Sequence, residues 1–238
     1  MPTAAISSSE LIERPQGGWW LNRWGSARVA AGITDRSMTR DALRPHGRGV
    51  HACVEGAQVH GASVAVIERV RQPADPIAGC DALLTRLPGT ALMVRTADCL
   101  PIFFYDARRD VVGLAHAGWR GLAAQLPMRV VGALRHAYRT SAGDLHVAIG
   151  PAIRACCYEV GAELSARFGT FVQQRQGRRT CDLIGVAIDQ LMRCGVPSKR
   201  ITDTGRCTSC EANRWFSLRR EGSSTGRLTS LIMLHLCH

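Results

Sequence analysis

Two apolar runs rich in β-branched and aromatic residues, Leu100–Tyr105 and Val111–Ala115, flank the polar segment Asp106-Ala-Arg-Arg-Asp110. That pattern predicts a buried β-hairpin. A two-residue loop at Ala107-Arg108 sets Cys99 opposite His116, and a four-residue loop at Ala107–Asp110 makes them diagonal neighbours. In either register the two side chains share one face of the sheet, with Cβ atoms at most roughly 7–8 Å apart. A thiol beside an imidazole, followed at once by Gly118-Trp-Arg-Gly121, is a candidate site.

The same reading predicts the other elements. Residues 1–17 read as a loose tail and the aromatic stretch Gly17–Trp24 as a first strand or docking segment. Arg28–Arg36 reads as a short strand entering a loop, and Ser37–Gly49 holds little regular structure. Val59–Ile67 reads as a strand carrying His60 near its start, with a loop at Gln72–Gly79. Ala82–Arg86 and Ala91–Thr96 are strands separated by a Pro88-Gly89 turn. Leu122, Leu126, Val130, Leu134 and Tyr138 recur with a helical period. Pro127 inside that pattern must either kink the helix or mark its true first turn. Leu145–Gly150 is a strand, and Val160–Arg167 and Leu183–Cys194 are helices, the second stopped by Gly195 and Pro197. Ile201–Thr204, Trp215–Arg219 and Leu228–Leu236 complete the strands. Helices interleave with strands, so the expected class is α/β or α+β in layers.

Composition narrows the function classes. The 238 residues fit one large domain or two small ones, and 46% hydrophobic residues supply a sizeable core. No apolar run approaches the ~18 residues of a membrane span. The first ten residues lack a signal peptide's basic start and apolar centre, so a cytoplasmic location is expected. Ten cysteines in such a chain point to thiols, metal or redox chemistry before a disulfide framework. The formal charge of +11 raises nucleic-acid binding. The excess is scattered arginine, however, with Lys199 the sole lysine and only doublets such as Arg108-Arg109. A solvated surface is the plainer account, and an anionic substrate would suit it.

His60, Cys99 and His116 each stand beside a glycine or a break at a strand end. Zinc accepts Cys sulfur and His nitrogen, and three protein ligands leave a fourth position open. On the residues alone, a structural cysteine with two hydrogen-bonded histidines has the advantage. Cys207-Thr-Ser-Cys210 fits half a zinc ribbon or a redox pair, but no second Cys-x-x-Cys completes a four-cysteine site. These two are expected to be structural thiols, dispensable for turnover, and Cys156-Cys157 to pack. Tyr158 reads as a core aromatic before a substrate-stacking ring. Arg120, with the backbone N–H groups after Gly118, can hold an anion at a helix start; a surface ion pair is its plainer role. No P-loop or dinucleotide fingerprint is present.

A resemblance changes the balance. Gln58-Val-His-Gly61, Asp81-Ala-Leu-Leu-Thr85, Thr96-Ala-Asp-Cys-Leu-Pro101, His116-Ala-Gly-Trp-Arg-Gly121, Ala148-Ile-Gly-Pro-Ala-Ile153 and Cys156-Cys-Tyr-Glu-Val-Gly161 occur in this order. With Cys207-Thr, Phe216-Ser-Leu-Arg-Arg220 and Thr225-Gly-Arg227, they resemble the laccase-domain family. It is also called the multicopper polyphenol oxidase or peptidoglycan editing factor family. The resemblance spans about residues 58–235. It implies one catalytic domain over residues 1–238, with a mixed β-sheet sandwich flanked by helices, similar to the cytotoxic necrotizing factor catalytic domain. It implies a metal site at His60, Cys99 and His116, with Zn2+ expected and Cu2+ as the second choice.

The implied activity is phosphorolysis of adenosine, inosine, guanosine and methylthioadenosine, together with adenosine deamination. The implied partners are purine nucleosides and phosphate, with no membrane. Cys99, His116 and Arg120 are the expected catalytic residues. The family's second implied chemistry is an amide hydrolase that removes wrongly incorporated serine from peptidoglycan precursors. Copper phenol oxidation needs His-rich clusters, which eight scattered histidines do not supply. A non-enzymatic, arginine-rich nucleic-acid binder would lose DNA steeply with salt and turn over no nucleoside. The chain departs from the family in its N-terminal third, which lacks the usual Gly-Gly-Val-Ser segment, and at Cys80 and Pro127.

Overall fold

The central strands of this chain are apolar on both faces because both faces are covered. The computed structural model describes residues 11–13, 19–21, 28–38, 50–69, 75–175 and 177–235. In chain order the strands are β1 (Leu11–Glu13), β2 (Trp19–Leu21), β3 (Val29–Ile33), β4 (Ala52–Glu55), β5 (Val64–Ile67), β6 (Ala82–Thr85) and β7 (Thr90–Thr96). There follow β8 (Leu100–Asp106), β9 (Val111–Ala117), β10 (His146–Ile149), β11 (Val172–Arg175), β12 (Arg178–Cys181), β13 (Ile201–Asp203) and β14 (Leu228–Leu234). The helices are α1 (Trp119–Ala123), α2 (Leu126–Tyr138), α3 (Ala162–Phe168), α4 (Leu183–Arg193) and α5 (Leu218–Glu221).

Two mixed six-stranded sheets form, in the orders β1-β2-β3-β14-β7-β4 and β13-β10-β8-β9-β6-β5. They pack face to face through Ile33, Val54, Leu92 and Val94 of the first and Leu83, Phe103, Val112 and Leu114 of the second. The alternate residues of the second sheet, among them Leu84, Ile102, Phe104 and Ala115, meet Val130 and Leu134 of α2 and Ile184 and Leu191 of α4. This is the sandwich flanked by helices that the sequence implied. All seven residues of β8 and all seven of β9 are buried, because sheet covers one face and helix the other.

The hairpin takes the longer of the two expected loops. Leu100 pairs with Ala117, Pro101 with His116 and Asp106 with Val111, so residues 107–110 turn and Cys99 stands diagonal to His116. Asp106 Oδ1 accepts the N–H groups of Arg108 and Arg109 and closes that turn. Pro127 lies in the first turn of α2, after a left-handed Gln125 that separates α2 from α1. It therefore starts the helix and does not kink it.

Three expectations are corrected. The strand read as Val59–Ile67 begins only at Val64. Before it the chain wraps round the Asp81 carboxylate, which accepts the N–H groups of Val59, His60 and Gly61. Trp215–Arg219 is not a strand: Ser217 caps α5 by accepting the N–H of Arg220 at 3.2 Å. Within the stretch read as a tail, Leu11–Glu13 forms β1 against β2, and residues 1–10 and 14–17 lie outside the described residues. The strand β4 and the hairpin of β11 with β12 carry no alternation strong enough to have been read. Among the described residues, no helix is long and apolar enough to cross a membrane.

Candidate metal centre

The open end of the β8–β9 hairpin gathers the three residues singled out from the sequence. His116 comes from the last turn of pleat of β9, and Cys99 immediately precedes β8. His60 arrives from the turn before β5, in a left-handed conformation with φ 59°. Their donor atoms lie within 4.8 Å of one another. The two imidazoles meet edge to face, with centroids 4.7 Å apart. His116 is buried, Cys99 partly so and His60 exposed, so the cluster opens to solvent on one side.

Asp81, just before β6, organises this cluster. Its Oδ1 lies 2.8 Å from His116 Nδ1 and 3.0 Å from the His60 N–H, and its Oδ2 accepts the Gly61 N–H at 2.7 Å. The carboxylate thus orients one histidine through its ring and the other through its backbone. Burial alone would push Asp81 up, but these bonds outweigh it and hold it below the ordinary carboxylate range. With Nδ1 held by Asp81, Nε2 is the nitrogen turned into the site, where a bound metal would take the place of its proton, and the carboxylate is the usual second partner of a histidine ligand. Gly118 completes the centre by having no side chain. A Cβ there would stand 3.0 Å from Cys99 Sγ and 3.2 Å from His60 Cδ2.

The electrostatics favour a thiolate. Burial pushes the Cys99 thiol up, yet the hydrogen bonds and charge of His116 and His60 bring it from 9.0 down to about 7. Burial pushes His116 down, and its bonds to Asp81 and Cys99 more than reverse this, up to about 9. In metal-stripped protein, alkylation of Cys99 should therefore rise with pH about a midpoint near 7, not 9. Peptide mass spectrometry at graded pH checks this; an ordinary midpoint would show that the imidazoles do not hold a thiolate.

The donor set passes a chemical test for a metal: one soft sulfur and two imidazole nitrogens, oriented from behind and open in front, suit zinc, and also copper. Arg120 lies on the first turn of α1, two residues after Gly118. It is exposed, and its guanidinium lies over the neighbouring Trp119 ring at 5.2 Å. Tyr158 packs partly buried against the helix-side core, its ring covered by the Arg219 guanidinium at 5.2 Å. Sequence reasoning passed over three contributors: Asp81, Gly118 and Asp98. Asp98, at φ 85°, turns the chain into Cys99, and its carboxylate accepts Thr208 Oγ1 at 2.6 Å and the Arg219 N–H at 2.7 Å. Asp98 and Gly118 stand within two residues of a ligand, and Asp81 heads the motif Asp81-Ala-Leu-Leu-Thr85, but nothing in the sequence gave any of them a role.

The sequence model of the family described as "Multi-copper polyphenol oxidoreductase laccase" matches residues 34–235. The chain is 34% identical over 190 residues to "Purine nucleoside phosphorylase YlmD" of Geobacillus stearothermophilus, covering 74% of this chain and 69% of that protein. It is 33% identical over 185 residues to "Adenosine deaminase RL5" from an unknown prokaryotic organism, covering 71% and 70%. The crystal structure of YlmD from Geobacillus stearothermophilus superposes with a TM-score of 0.84 at 27% identity, over 95% of this chain and 99% of that one.

Proposed function

The chain belongs to the multi-copper polyphenol oxidoreductase laccase family, and from that premise we propose that it is a zinc-dependent purine nucleoside phosphorylase with adenosine deaminase activity. Its substrates on this reading are adenosine, inosine, guanosine and methylthioadenosine, with phosphate, and residues 1–238 form one catalytic domain. The observation that carries the reading is the convergence of His60, Cys99 and His116, within 4.8 Å, in a chain whose relatives bear those two enzyme names.

His60, Cys99 and His116 would hold a divalent metal, which would supply Lewis acidity and a means of activating water. The protein's own part is positional. Asp81 keeps the His116 ring turned so that Nε2 faces the site, and Gly118 leaves space for Cys99 and His60 to close on one point. Tyr158, packed against the helix-side core, is a neutral phenol. Burial and then the nearby Cys99 charge push its hydroxyl up to about 12, so it keeps its proton at physiological pH. Arg120, on the first turn of α1, is assigned to phosphate. A multi-copper oxidation would need further histidine clusters. Among the described residues, the one metal-capable group containing histidine is this one.

Phosphorolysis needs phosphate as nucleophile and deamination needs only water. With adenosine and zinc-loaded protein, omitting phosphate should therefore abolish adenine and ribose-1-phosphate while inosine still forms. Arg120→Ala should weaken phosphorolysis more than deamination. A charge-assisted contact is worth about 1.5–3 kcal/mol, so the selective loss should be roughly 10- to 100-fold. Chromatographic product analysis reads both. Equal losses would make Arg120 structural. If zinc-loaded wild type gives neither product, the nucleoside reading fails and amide hydrolysis of peptidoglycan precursors becomes the reaction to test.

A further inference from the structure

Four cysteines outside the site above converge as closely as its ligands do. Cys156 and Cys157 lie in the turn after Ile153, and Cys207 and Cys210 open and close the turn after β13. We propose that Cys156, Cys157, Cys207 and Cys210 form a second metal site, a structural zinc held by four thiolates that clamps two loops beside the first centre.

The geometry carries this. Cys156 Sγ lies 3.6 Å from Cys207 Sγ and 3.5 Å from Cys210 Sγ, and Cys157 Sγ lies 3.3 Å from Cys210 Sγ. All four sulfurs fall within 4.8 Å of one another. Zinc–sulfur bonds of about 2.3 Å in a tetrahedron set sulfur–sulfur edges near ~3.8 Å, so small shifts admit the ion. The four are free thiols. A disulfide requires sulfurs about 2.05 Å apart, closer than any of these contacts.

The backbone is shaped for metal as well. The backbone N–H groups of Cys210 and Arg154 hydrogen-bond the Cys207 sulfur. That is the arrangement by which a Cys-x-x-Cys turn supports a zinc-bound sulfur. Arg220 fastens the same turn through the Thr208 and Ser209 carbonyls at 2.6 and 2.8 Å. As four sulfur–zinc bonds form, the thiol protons leave to solvent and the site becomes doubly negative. Arg154, paired with Asp203 at 2.9 and 2.6 Å, brings a positive charge close to Cys207.

The clamp has a place to act. One of the two cysteine loops supplies the Ile153 N–H to the Asp98 carbonyl at 2.9 Å, and the other supplies Thr208 Oγ1 to the Asp98 carboxylate at 2.6 Å. Asp98 precedes Cys99, so both loops hold the residue that aims the thiol of the first centre. The sequence offered only half a ribbon. The partner pair is a vicinal Cys-Cys 51 residues away, counted from Cys156 to Cys207, and not a second Cys-x-x-Cys.

The test is a metal count on protein expressed with zinc and purified anaerobically with reductant. Wild type should carry two zinc ions per chain. Cys207→Ser with Cys210→Ser should carry one, and Cys99→Ala with His116→Ala should carry the other one. On cobalt substitution, the sulfur-to-metal absorption of a tetrathiolate should vanish only in the Cys207/Cys210 variant. That variant should lose stability before it loses activity per folded molecule. Should it not fold, peptide mapping of wild type decides: zinc should protect the exposed Cys156 and Cys210 from alkylation, and a chelator should expose them. A Cys207/Cys210 variant with the wild-type zinc count overturns the proposal. So does ordinary alkylation of both residues in zinc-loaded protein, or a cystine among the four under these conditions. None of these results bears on the nucleoside reactions, which the Cys99/His116 variant tests separately.

Discussion

Cys99→Ala is expected to cost the chain one zinc and to cut both adenosine reactions by at least about 10³-fold. The thiolate is the only sulfur among three donors within 4.8 Å of one another, and nothing else in that group carries negative charge to the ion. Metal catalysis is commonly worth several kcal/mol of barrier, and about 1.4 kcal/mol is a factor of ten. The fold should survive, since Cys99 is partly exposed and precedes β8 without belonging to its ladder. His116→Ala should silence the same two reactions with a larger loss of stability, because it also leaves the buried Asp81 carboxylate short of a partner. Elemental analysis, product chromatography and denaturant titration of the variants read the three effects. Full zinc retention in Cys99→Ala would remove it from the ligand set, and retained turnover without zinc would end the metal-dependent reading.

Asp81→Asn should have the second-largest effect, although Asp81 itself need not touch substrate. Both carboxylate oxygens accept here: Oδ1 from His60 N–H and His116 Nδ1, and Oδ2 from Gly61 N–H. An asparagine presents NH₂ to one of these donor sets whichever way it is turned, leaving it unpaired. A buried unpaired group costs about 1–3 kcal/mol, and loss of a partner behind a metal ligand lowers affinity by roughly 10- to 100-fold. The folded-state pKa of Asp81 is depressed, so its stabilising contribution is complete above its unfolded value, near 3.8, and is lost as pH falls through the lower folded one. The destabilisation in Asp81→Asn should accordingly be full at neutral pH and shrink under strong acid. Denaturant titrations at several pH values, with zinc competition assays, would measure both. Unchanged zinc affinity in a folded variant would reduce Asp81 to a backbone anchor.

What could be read from the sequence follows from which distances are local. Strand periodicity is two, so any hairpin joining Leu100–Tyr105 to Val111–Ala115 with an even loop places Cys99 and His116 on one face. Parity decided that, and the uncertain loop length did not matter. The helix stop at Gly195 was likewise legible, because a positive φ acts on its own turn, whereas the choice at Pro127 between a kink and a first turn was settled only by the fold.

His60 was not legible in this way. Its position depends on a carboxylate 21 residues ahead that bends Val59–Gly61 out of the extended form its neighbours favour. Trp215–Arg219 failed as a strand for a similar reason, since the Ser217 cap competes with extension only once the chain turns there. The clearest case is the four-cysteine cluster. It is assembled by the parallel pairing of β10 with β13 and the bridge from Ala152 to Cys207, which bring two turns together from distant parts of the chain. No periodicity spans that separation. Local patterns prescribe faces, caps and turns, whereas the meeting of two loops depends on sheet order, which emerges only when the apolar faces of both sheets are buried together.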